Sequence, residues 1–321
     1  MSPLGSRLLV ALAGLAIGAA FLWLAFRGTP PALVSGILAR ADWGLPAAEA
    51  VIATAAFALA KAARWRLLLG APAGLGTAFL LRPVLAGLAL NALLPHSGEL
   101  VRAFGLNRAA GLAPGAVLSS IVAERVFDLF AVLILGGGAL GLVDLGGAIA
   151  SAVRLVGVIA AAFALLILLA LRYPAVPQHL VALLARRLPA RVAGGLTRQA
   201  TAALEGLEPV RSPRTALLVL GWSLAQWLAV AVMVHGCGGV VHLALGAAAC
   251  CLVVVGIVVA FLLPNAPGYA GSVQVAFLIV LGPLGLPDAP ALAASVVYQL
   301  LVVVPLIIAG VACLQGTLRR R

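Results

Sequence analysis

The sequence has little charge, few aromatic side chains and almost no acidic residues. Only 9% of its 321 residues are charged and 6% are aromatic, whereas 64% are hydrophobic, and only nine residues are Asp or Glu. The mean hydropathy of +1.19 exceeds what a soluble core requires and is typical of a polytopic membrane protein. This composition excludes a soluble globular protein, and we predict an all-α polytopic fold surrounded by lipid.

The sequence also lacks the signatures of several chemistries. Its four cysteines have no zinc or redox spacing, and its four histidines are scattered along the chain. Ser97 follows His96 directly, but no nucleophile elbow or ordered triad accompanies them. The net charge of +12 comes from arginines between apolar runs, without the interleaved aromatics of a nucleic-acid surface. We therefore expect no catalytic residue, metal or cofactor, and no nucleic-acid partner.

Long apolar runs predict the membrane spans, because a helix needs about 20 apolar residues to cross a bilayer. The first run is too long for a signal peptide and is predicted to be an uncleaved span. Two further runs, 81–106 and 264–286, are interrupted by proline and glycine. The uninterrupted candidates are 6–26, 46–69, 114–142, 148–171, 214–236, 241–263 and 290–316.

The arginine distribution predicts the orientation. Seven arginines lie between residues 172 and 214 and three end the chain, so the positive-inside rule places both segments in the cytoplasm. The charges around 61–66 are assigned to the same side. An even number of crossings then makes 81–106 a re-entrant element and 264–286 a short or broken crossing. We predict about eight transmembrane helices in the inner (plasma) membrane, with both termini cytoplasmic.

One integral membrane domain is predicted over 1–321, with halves 1–171 and 214–321 joined by the basic segment 172–213. This segment is either an interfacial helix on anionic lipid or a connector whose arginines only set the orientation. Its apolar residues recur at helical spacing opposite Arg186 and Arg187: Val176, Leu180, Val181, Leu184 and Leu188.

The span 114–142 contains "AERVFDL", with Glu124, Arg125 and Asp128. Each charge at a helix centre costs about 2.5 to 3.5 kcal/mol on the insertion scale, so these side chains must face protein or water. Their spacing predicts an ion pair between Arg125 and Asp128, which leaves Glu124 to pair with Arg102 or Arg108. The cluster either lines a cavity for a lipid headgroup or a coupling proton, or locks the helices together.

The stretch "LNALLPHSGELVRAFGLNR", residues 90–108, combines a helix break with polar residues. Pro95 and Gly98 predict a helix that stops and restarts, leaving free amides and Arg102 to hold a phosphate. Glu99 is expected to pair with an arginine. The substrate-site residues predicted here are Asn91, Pro95, Gly98, Glu99, Arg102 and Arg108, together with Glu124, Arg125 and Asp128.

A second broken stretch, "LLPNAPGYAG" at 262–271, echoes "LLPHSG" at 93–98. Such matched interruptions mark a transporter site between two repeats, although a chance match remains an alternative. Both prolines fall on the cytoplasmic side of the predicted topology, which a simple inverted repeat does not explain. Pro267, Gly268 and Tyr298 join the predicted substrate site.

Together these motifs resemble the transmembrane domain of the lysylphosphatidylglycerol synthases and its stand-alone, flippase-like relatives. Many relatives carry an acid and a base where this chain has Gln274 and Gln299, so charge recognition at those positions is in doubt. The residues that carry the resemblance are Leu94, Pro95, Gly98, Glu99 and Arg102, then Glu124, Arg125 and Asp128, then Pro267, Gly268, Gly271 and Tyr298.

The resemblance implies movement of a lipid or lipid-linked headgroup between leaflets. It implies a member without the aminoacyltransferase domain, so lysine transfer from tRNA is not expected. The lipid partner would be an anionic phospholipid, an isoprenoid-linked lipid or a hopanoid-type lipid. Two other functions stay open: a non-transporting scaffold or accessory subunit of a lipid-modifying enzyme, and an enzyme that acts on a membrane lipid.

Overall fold

The computed structural model describes residues 3–70, 75–94, 97–112, 114–143, 208–262 and 266–318, with parts of 157–194. Within these ranges every regular element is a helix, as the composition predicts. The helices are α1 (Pro3–Phe26), α2 (Pro31–Leu38), α3 (Leu45–Leu68), α4 (Thr77–Leu93), α5 (Ser97–Ala110), α6 (Pro114–Leu140), α7 (Ala175–Ala185), α8 (Pro213–Val240), α9 (Ala247–Leu262), α10 (Ser272–Leu281), α11 (Asp288–Tyr298) and α12 (Val304–Leu318).

Several of these helices are long and apolar enough to cross a membrane, so the chain is a polytopic membrane protein. They are α3, α8, the composite helix Pro267–Leu284 and the composite helix Asp288–Leu314. α3 and α8 each have a proline in their first turn. A backbone N–H at that position has no helical carbonyl to bind, so the absence of this N–H in proline costs no hydrogen bond. α6 has 27 residues, about 40 Å, but carries three charges in its interior.

The structure modifies three of the predicted spans. The span 6–26 is followed by an 82° bend into α2, which the hydropathy pattern does not predict. The span 241–263 begins as α9 only at Ala247, after a turn in which His242 has a φ of 57°. The last span is interrupted by a π-helical turn, Gln299–Val303. The span 148–171 lies almost wholly outside the described residues, so the count of eight crossings stays a prediction.

α3 and α8 pack antiparallel along their length and join the two halves of the chain. At one end a Cβ on Gly236 would lie 2.9 Å from Ala50 N, so the two backbones touch there. At the other end Arg64 Nη1 donates to Ser223 Oγ at 2.9 Å. α12 packs as closely on α4 through Gly310. The two halves of the chain therefore share one helix assembly, while the division into 1–171 and 214–321 stays a prediction.

α4 and α5 form an antiparallel hairpin. Gly87 on α4 lies against the Arg102 side chain, and Asn91, one turn later, lies against Gly98 at the start of α5. The chain thus turns back on itself within the element predicted as broken, while the re-entrant placement of 81–106 stays a prediction. Pro95 and His96, between the two helices, lie outside the described residues.

The second broken element also has the predicted form. A 3-10 turn, Pro267–Tyr269, precedes α10, and another, Gly282–Leu284, follows it. Gly268 and Gly271 have φ of 71° and 86°, conformations that favour glycine. The first turn contacts α4, so the two interrupted elements meet in space. The helix predicted in the basic segment is present as α7, but its place at the membrane surface stays a prediction.

Candidate functional site

Five charged side chains are buried together among α3, α5 and α6, and we call them the charge cluster: Lys61, Arg64, Arg102, Glu124 and Asp128. None is more than 7% exposed. Glu124 is ten residues beyond the start of α6, about 15 Å along the helix axis. A hydrocarbon layer is about 30 Å thick, so in a spanning α6 the cluster lies near mid-membrane.

Glu124 is the centre of the charge cluster. Its Oε2 accepts a hydrogen bond from Arg102 Nη2 at 2.7 Å, and its Oε1 lies 3.2 Å from Arg64 Nη2 and also accepts from Lys61 Nζ. The expected pairing of Glu124 with Arg102 is confirmed. One buried carboxylate therefore forms ion pairs with three cations from two different helices.

Asp128, one turn further along α6, connects the cluster to α8. It forms a two-point ion pair with the Arg64 guanidinium and accepts from Trp227 Nε1 at 2.9 Å and Gln226 Nε2 at 3.3 Å. The predicted pair between Arg125 and Asp128 is wrong. Arg64 occupies the carboxylate because α3 faces Asp128, whereas Arg125 points outward with 58% of its side chain exposed.

Arg125 instead pairs with Glu99, at 2.6 Å between Nη2 and Oε1, and forms an outer ion pair. The expectation that Glu99 binds an arginine is confirmed, with Arg125 as the partner. Asn91 closes the hairpin beside this pair, since its Nδ2 donates to Glu99 and its Oδ1 accepts from Gly98 N at 2.8 Å. The sequence predicted a free Gly98 amide that could bind a phosphate. In the structure this amide is occupied by Asn91.

The two predicted arginines of α5 have different surroundings. The Arg102 guanidinium lies 4.0 Å from the centre of the Trp65 ring, a cation–π contact that stabilises its charge. Trp65 is in turn held by a 2.9 Å hydrogen bond to Ser120 Oγ. Arg108 is exposed and, within the described residues, has no ion pair or hydrogen bond. Of these two arginines, Arg102 belongs to the charge cluster and Arg108 does not.

Lys61 and Arg64 are the functional candidates that sequence reasoning missed. The sequence assigned them to the cytoplasmic charges near the end of a span, yet Arg64 is fully buried and Lys61 nearly so. The available signal was their three-residue spacing on one face of a helix that also carries apolar neighbours. Their inclusion gives the cluster three cations against two carboxylates.

An apolar cavity lies directly beside the charge cluster, between α3, α4, α8, α9, α12 and the 267–269 turn. Its cavity volume is about 90 Å³, and part of it opens to the outside. Trp227 belongs to both features, because its ring lines the cavity while its Nε1 donates to Asp128. Other lining residues are Phe57, Phe261, Tyr269, Tyr298 and Leu306.

Residues 11–310 match the family model described as the lysylphosphatidylglycerol synthase TM region. The chain belongs to this family. The match covers most of the chain and is to the transmembrane region of the synthases, so this is an integral membrane protein of a family linked to lipid handling. No curated protein and no solved structure matches the chain significantly.

Gln274 and Gln299, where the resemblance led us to expect charged residues, both bind the turn before α10. Gln299, at the start of the π-helical turn, donates to the carbonyl of Gly268. Gln274 Oε1 accepts from Gly271 N at 2.8 Å and caps α10. They hold Tyr269, which has a φ of 60°, stacked on Phe261 at 4.0 Å between ring centres.

The predicted residues of the second broken element are divided between the cavity and the surface. Tyr298 lines the cavity, and Gly268 is held next to it through Gln299. Pro267 is exposed. Within the described residues no group of three His, Cys, Asp or Glu side chains is placed to hold a metal ion.

Proposed function

We propose that this protein moves a polar-headed membrane lipid between the two leaflets of the plasma (inner) membrane, with both termini in the cytoplasm. The observation that carries the proposal is the pair of features that share Trp227: a buried charge cluster and an apolar cavity beside it. A lipid has the same two parts, a charged head and an apolar tail.

The barrier to unaided lipid movement is the transfer of the headgroup through hydrocarbon, where a single charge costs several kcal/mol. The charge cluster offers hydrogen-bonding partners near the middle of that path, already held in place by one another. The headgroup would pass along these side chains while the acyl chains occupy the cavity or the surrounding lipid.

The proposed roles follow from position. Arg102 presents its guanidinium to the headgroup, and Glu124 and Asp128 hold the cations of the cluster in place. Tyr298 and Trp227 line the path of the tail. The hairpin residues Asn91, Gly98, Glu99 and Arg125 hold α5 so that Arg102 reaches Glu124.

A steric test uses two leucine-sized residues of α12. Leu306 lines the cavity, whereas Ile308, two residues later, is 64% exposed. Leu306→Trp places an indole where the tail is proposed to lie, and Ile308→Trp adds the same ring to the outer surface. In proteoliposomes that contain an acyl-labelled lipid, dithionite bleaching reports how fast inner-leaflet lipid becomes accessible.

We expect Leu306→Trp to slow lipid movement to the rate of protein-free vesicles, with Ile308→Trp close to the unsubstituted protein. Thermal melting of both variants shows that each is folded. Equal rates for the two folded variants would exclude the cavity as part of the path. An unsubstituted protein that leaves the lipid as immobile as protein-free vesicles do would favour a scaffold over a transporter.

A further inference from the structure

We propose that Lys61 is a proton-binding site inside the membrane, whose amino group takes up and releases one proton while the rest of the charge cluster keeps its charge. Lys61 is the only lysine in the sequence, and the other 20 of the 21 Lys and Arg residues are arginine. This single lysine is buried at the centre of the cluster. A chain that has arginine at every other basic position therefore has, at this one, the basic side chain that can lose its proton inside a protein.

The charge balance of the cluster gives a reason for two states. With Lys61 protonated, three cations face the carboxylates of Glu124 and Asp128, and one positive charge is left over. Arginine keeps its proton in proteins, so Arg64 and Arg102 are charged in both states. When Lys61 releases its proton, two guanidinium groups face two carboxylates and the cluster is neutral. An uncompensated charge is costly in a low-dielectric interior, and the release of the proton removes it.

The contacts of Lys61 suit both states. Its Nζ contacts Glu124 Oε1, the one hydrogen-bond acceptor that the described part of the chain gives it. A neutral amine still has an N–H to donate to this oxygen, so the loss of the proton leaves the contact in place. Glu124 also stays bound to Arg102 Nη2 at 2.7 Å, and Asp128 stays bound to Arg64. The hydrogen bonds that join α3, α5 and α6 are therefore the same in both states.

The proton has a partner in water. On release, an N–H bond of the ammonium breaks, the electron pair stays on Nζ and the proton passes to a water molecule. Lys61 is not fully enclosed, since 8% of its side chain is accessible, enough for a water molecule to contact it. Polar side chains continue from the cluster to the surface through Arg125, which follows Glu124 and pairs with Glu99.

The other elements that pack on α3 bring no further buried charge to Lys61 within the described residues. These elements are α4, α8 and the 208–211 turn, and the π-helical turn has no titratable side chain. The buried thiol of Cys237 is 14 residues beyond Ser223 on α8, about 21 Å along the helix axis. The remaining titratable side chains of these elements are exposed: Arg82, Glu208, Arg211, Arg214 and His235.

This site goes beyond the proposed lipid movement. In a spanning α6 the cluster lies near mid-membrane, so each uptake or release of the proton changes the charge of the protein at that depth by one. A membrane potential acts on a charge at this depth, and a difference in pH acts on the occupancy of the site. The cluster therefore has two charge states that a proton gradient can set.

The single lysine makes the test specific to this side chain. The full chain, produced with lysine isotopically labelled at Cε and placed in lipid nanodiscs, gives one lysine signal by NMR, and its chemical shift distinguishes the ammonium from the amine. A lysine free in water keeps its proton up to a pH of about 10.4. We expect the Lys61 signal to move from the ammonium to the amine position in a one-proton step at mildly alkaline pH. A signal that keeps either position up to the pH at which free lysine titrates would overturn the proposal.

A second lysine provides a reference in the same molecule. Arg82→Lys adds a lysine on the exposed side of α4, and its signal should stay at the ammonium position while that of Lys61 changes. If both signals change at the same pH, Lys61 behaves as a surface lysine and the proposal is wrong.

A further variant tests the charge balance. Gln226→Glu adds a carboxylate beside Asp128, because Gln226 Nε2 lies 3.3 Å from Asp128 Oδ1. The cluster is then balanced with Lys61 protonated, so the step should move to higher pH by about one unit, the lower end of the effect of a nearby opposite charge. A step that stays at the same pH in folded Gln226→Glu protein would refute the charge balance as its cause.

The outcome of this experiment is independent of lipid movement. A protein that leaves lipid immobile but whose Lys61 signal shows the step would refute the proposed function and support the proton site. A protein that moves lipid but whose Lys61 keeps its proton would do the reverse.

Discussion

Glu124 is the buried acid of the site, and Glu99 is the acid of the outer ion pair. Replacing each by glutamine compares what the two acids contribute to the free energy of unfolding. Glu124 is fully buried and contacts Lys61, Arg64 and Arg102, whereas Glu99 contacts the largely exposed Arg125. Glu124→Gln and Glu99→Gln keep the size of the side chain and remove one charge each. Burial and the number of partners are therefore the main differences between the two variants.

The expected magnitudes follow from these surroundings. Removing one partner of a buried ion pair costs about 3 to 5 kcal/mol, and Glu124→Gln leaves three cations with the single carboxylate of Asp128. The outer pair is only partly exposed, with 58% of the Arg125 side chain and 17% of the Glu99 side chain accessible. An exposed ion pair contributes about 0.2 to 1 kcal/mol, so Glu99→Gln should cost about 1 kcal/mol, less than Glu124→Gln. Lys61→Met combined with Glu124→Gln returns the cluster to its original excess of one positive charge. That double variant should be more stable than Glu124→Gln alone.

The assay is reversible unfolding of the purified protein in mild detergent, followed by tryptophan fluorescence and circular dichroism. Trp65, against Arg102, and Trp227, bonded to Asp128, are placed to report on the cluster. Equal losses of unfolding free energy for Glu124→Gln and Glu99→Gln would refute the reasoning. So would a double variant less stable than Glu124→Gln, since the charge excess would then not be the source of the instability.

Other parts of the site give further predictions. Gly98→Ala should cost about 1 to 3 kcal/mol of unfolding free energy, because its Cβ would overlap the α4 backbone. Gly105→Ala has open space around its Cβ and should be neutral or stabilising by up to about 1 kcal/mol. Thermal melting of both variants tests this difference. Arg102→Met should cost about 3 to 5 kcal/mol and Arg108→Met less than about 0.5 kcal/mol, measured by the same unfolding assay. Gln299→Met leaves a carbonyl of the turn before α10 without its donor and should cost about 1 to 3 kcal/mol; hydrogen exchange should rise in that turn first.

The spans that could be predicted are those whose signal is local. Uninterrupted apolar runs gave 46–69 and 214–236, found as Leu45–Leu68 and Pro213–Val240. Proline and glycine within an apolar run predicted both broken elements, because these residues interrupt helices wherever they occur. The 82° bend after Phe26 was missed, because the apolar chain that follows it does not by itself indicate whether it forms a loop or a second helix.

The pairing inside the charge cluster could not be predicted, because it depends on how distant helices cross. Lys61 and Arg64 reach Glu124 and Asp128 across 63 and 64 residues of sequence. Local spacing favoured a pair between Arg125 and Asp128 on one helix, and the packing of α3 against α6 gave Asp128 a buried partner instead. The sequence pointed to the two buried acids but not to all of the cations that pair with them.

The roles of Gln274 and Gln299 are also explained only by the fold. Both side chains are neutral, so the sequence put charge recognition at these two positions in doubt. In the structure they hold opposite sides of the same turn, through Gly271 and Gly268. Their position supports the shape of the cavity wall rather than the recognition of charge.

Lipid movement by the reconstituted protein tests the central claim most directly. Vesicles with increasing protein-to-lipid ratio and a trace of acyl-labelled phosphatidylglycerol are treated with dithionite, and the fraction of label bleached is measured. We expect this fraction to rise above that of protein-free vesicles in proportion to the share of vesicles that contain the protein. A fraction that stays at the protein-free value at every ratio, with folded protein in the membrane, would contradict it.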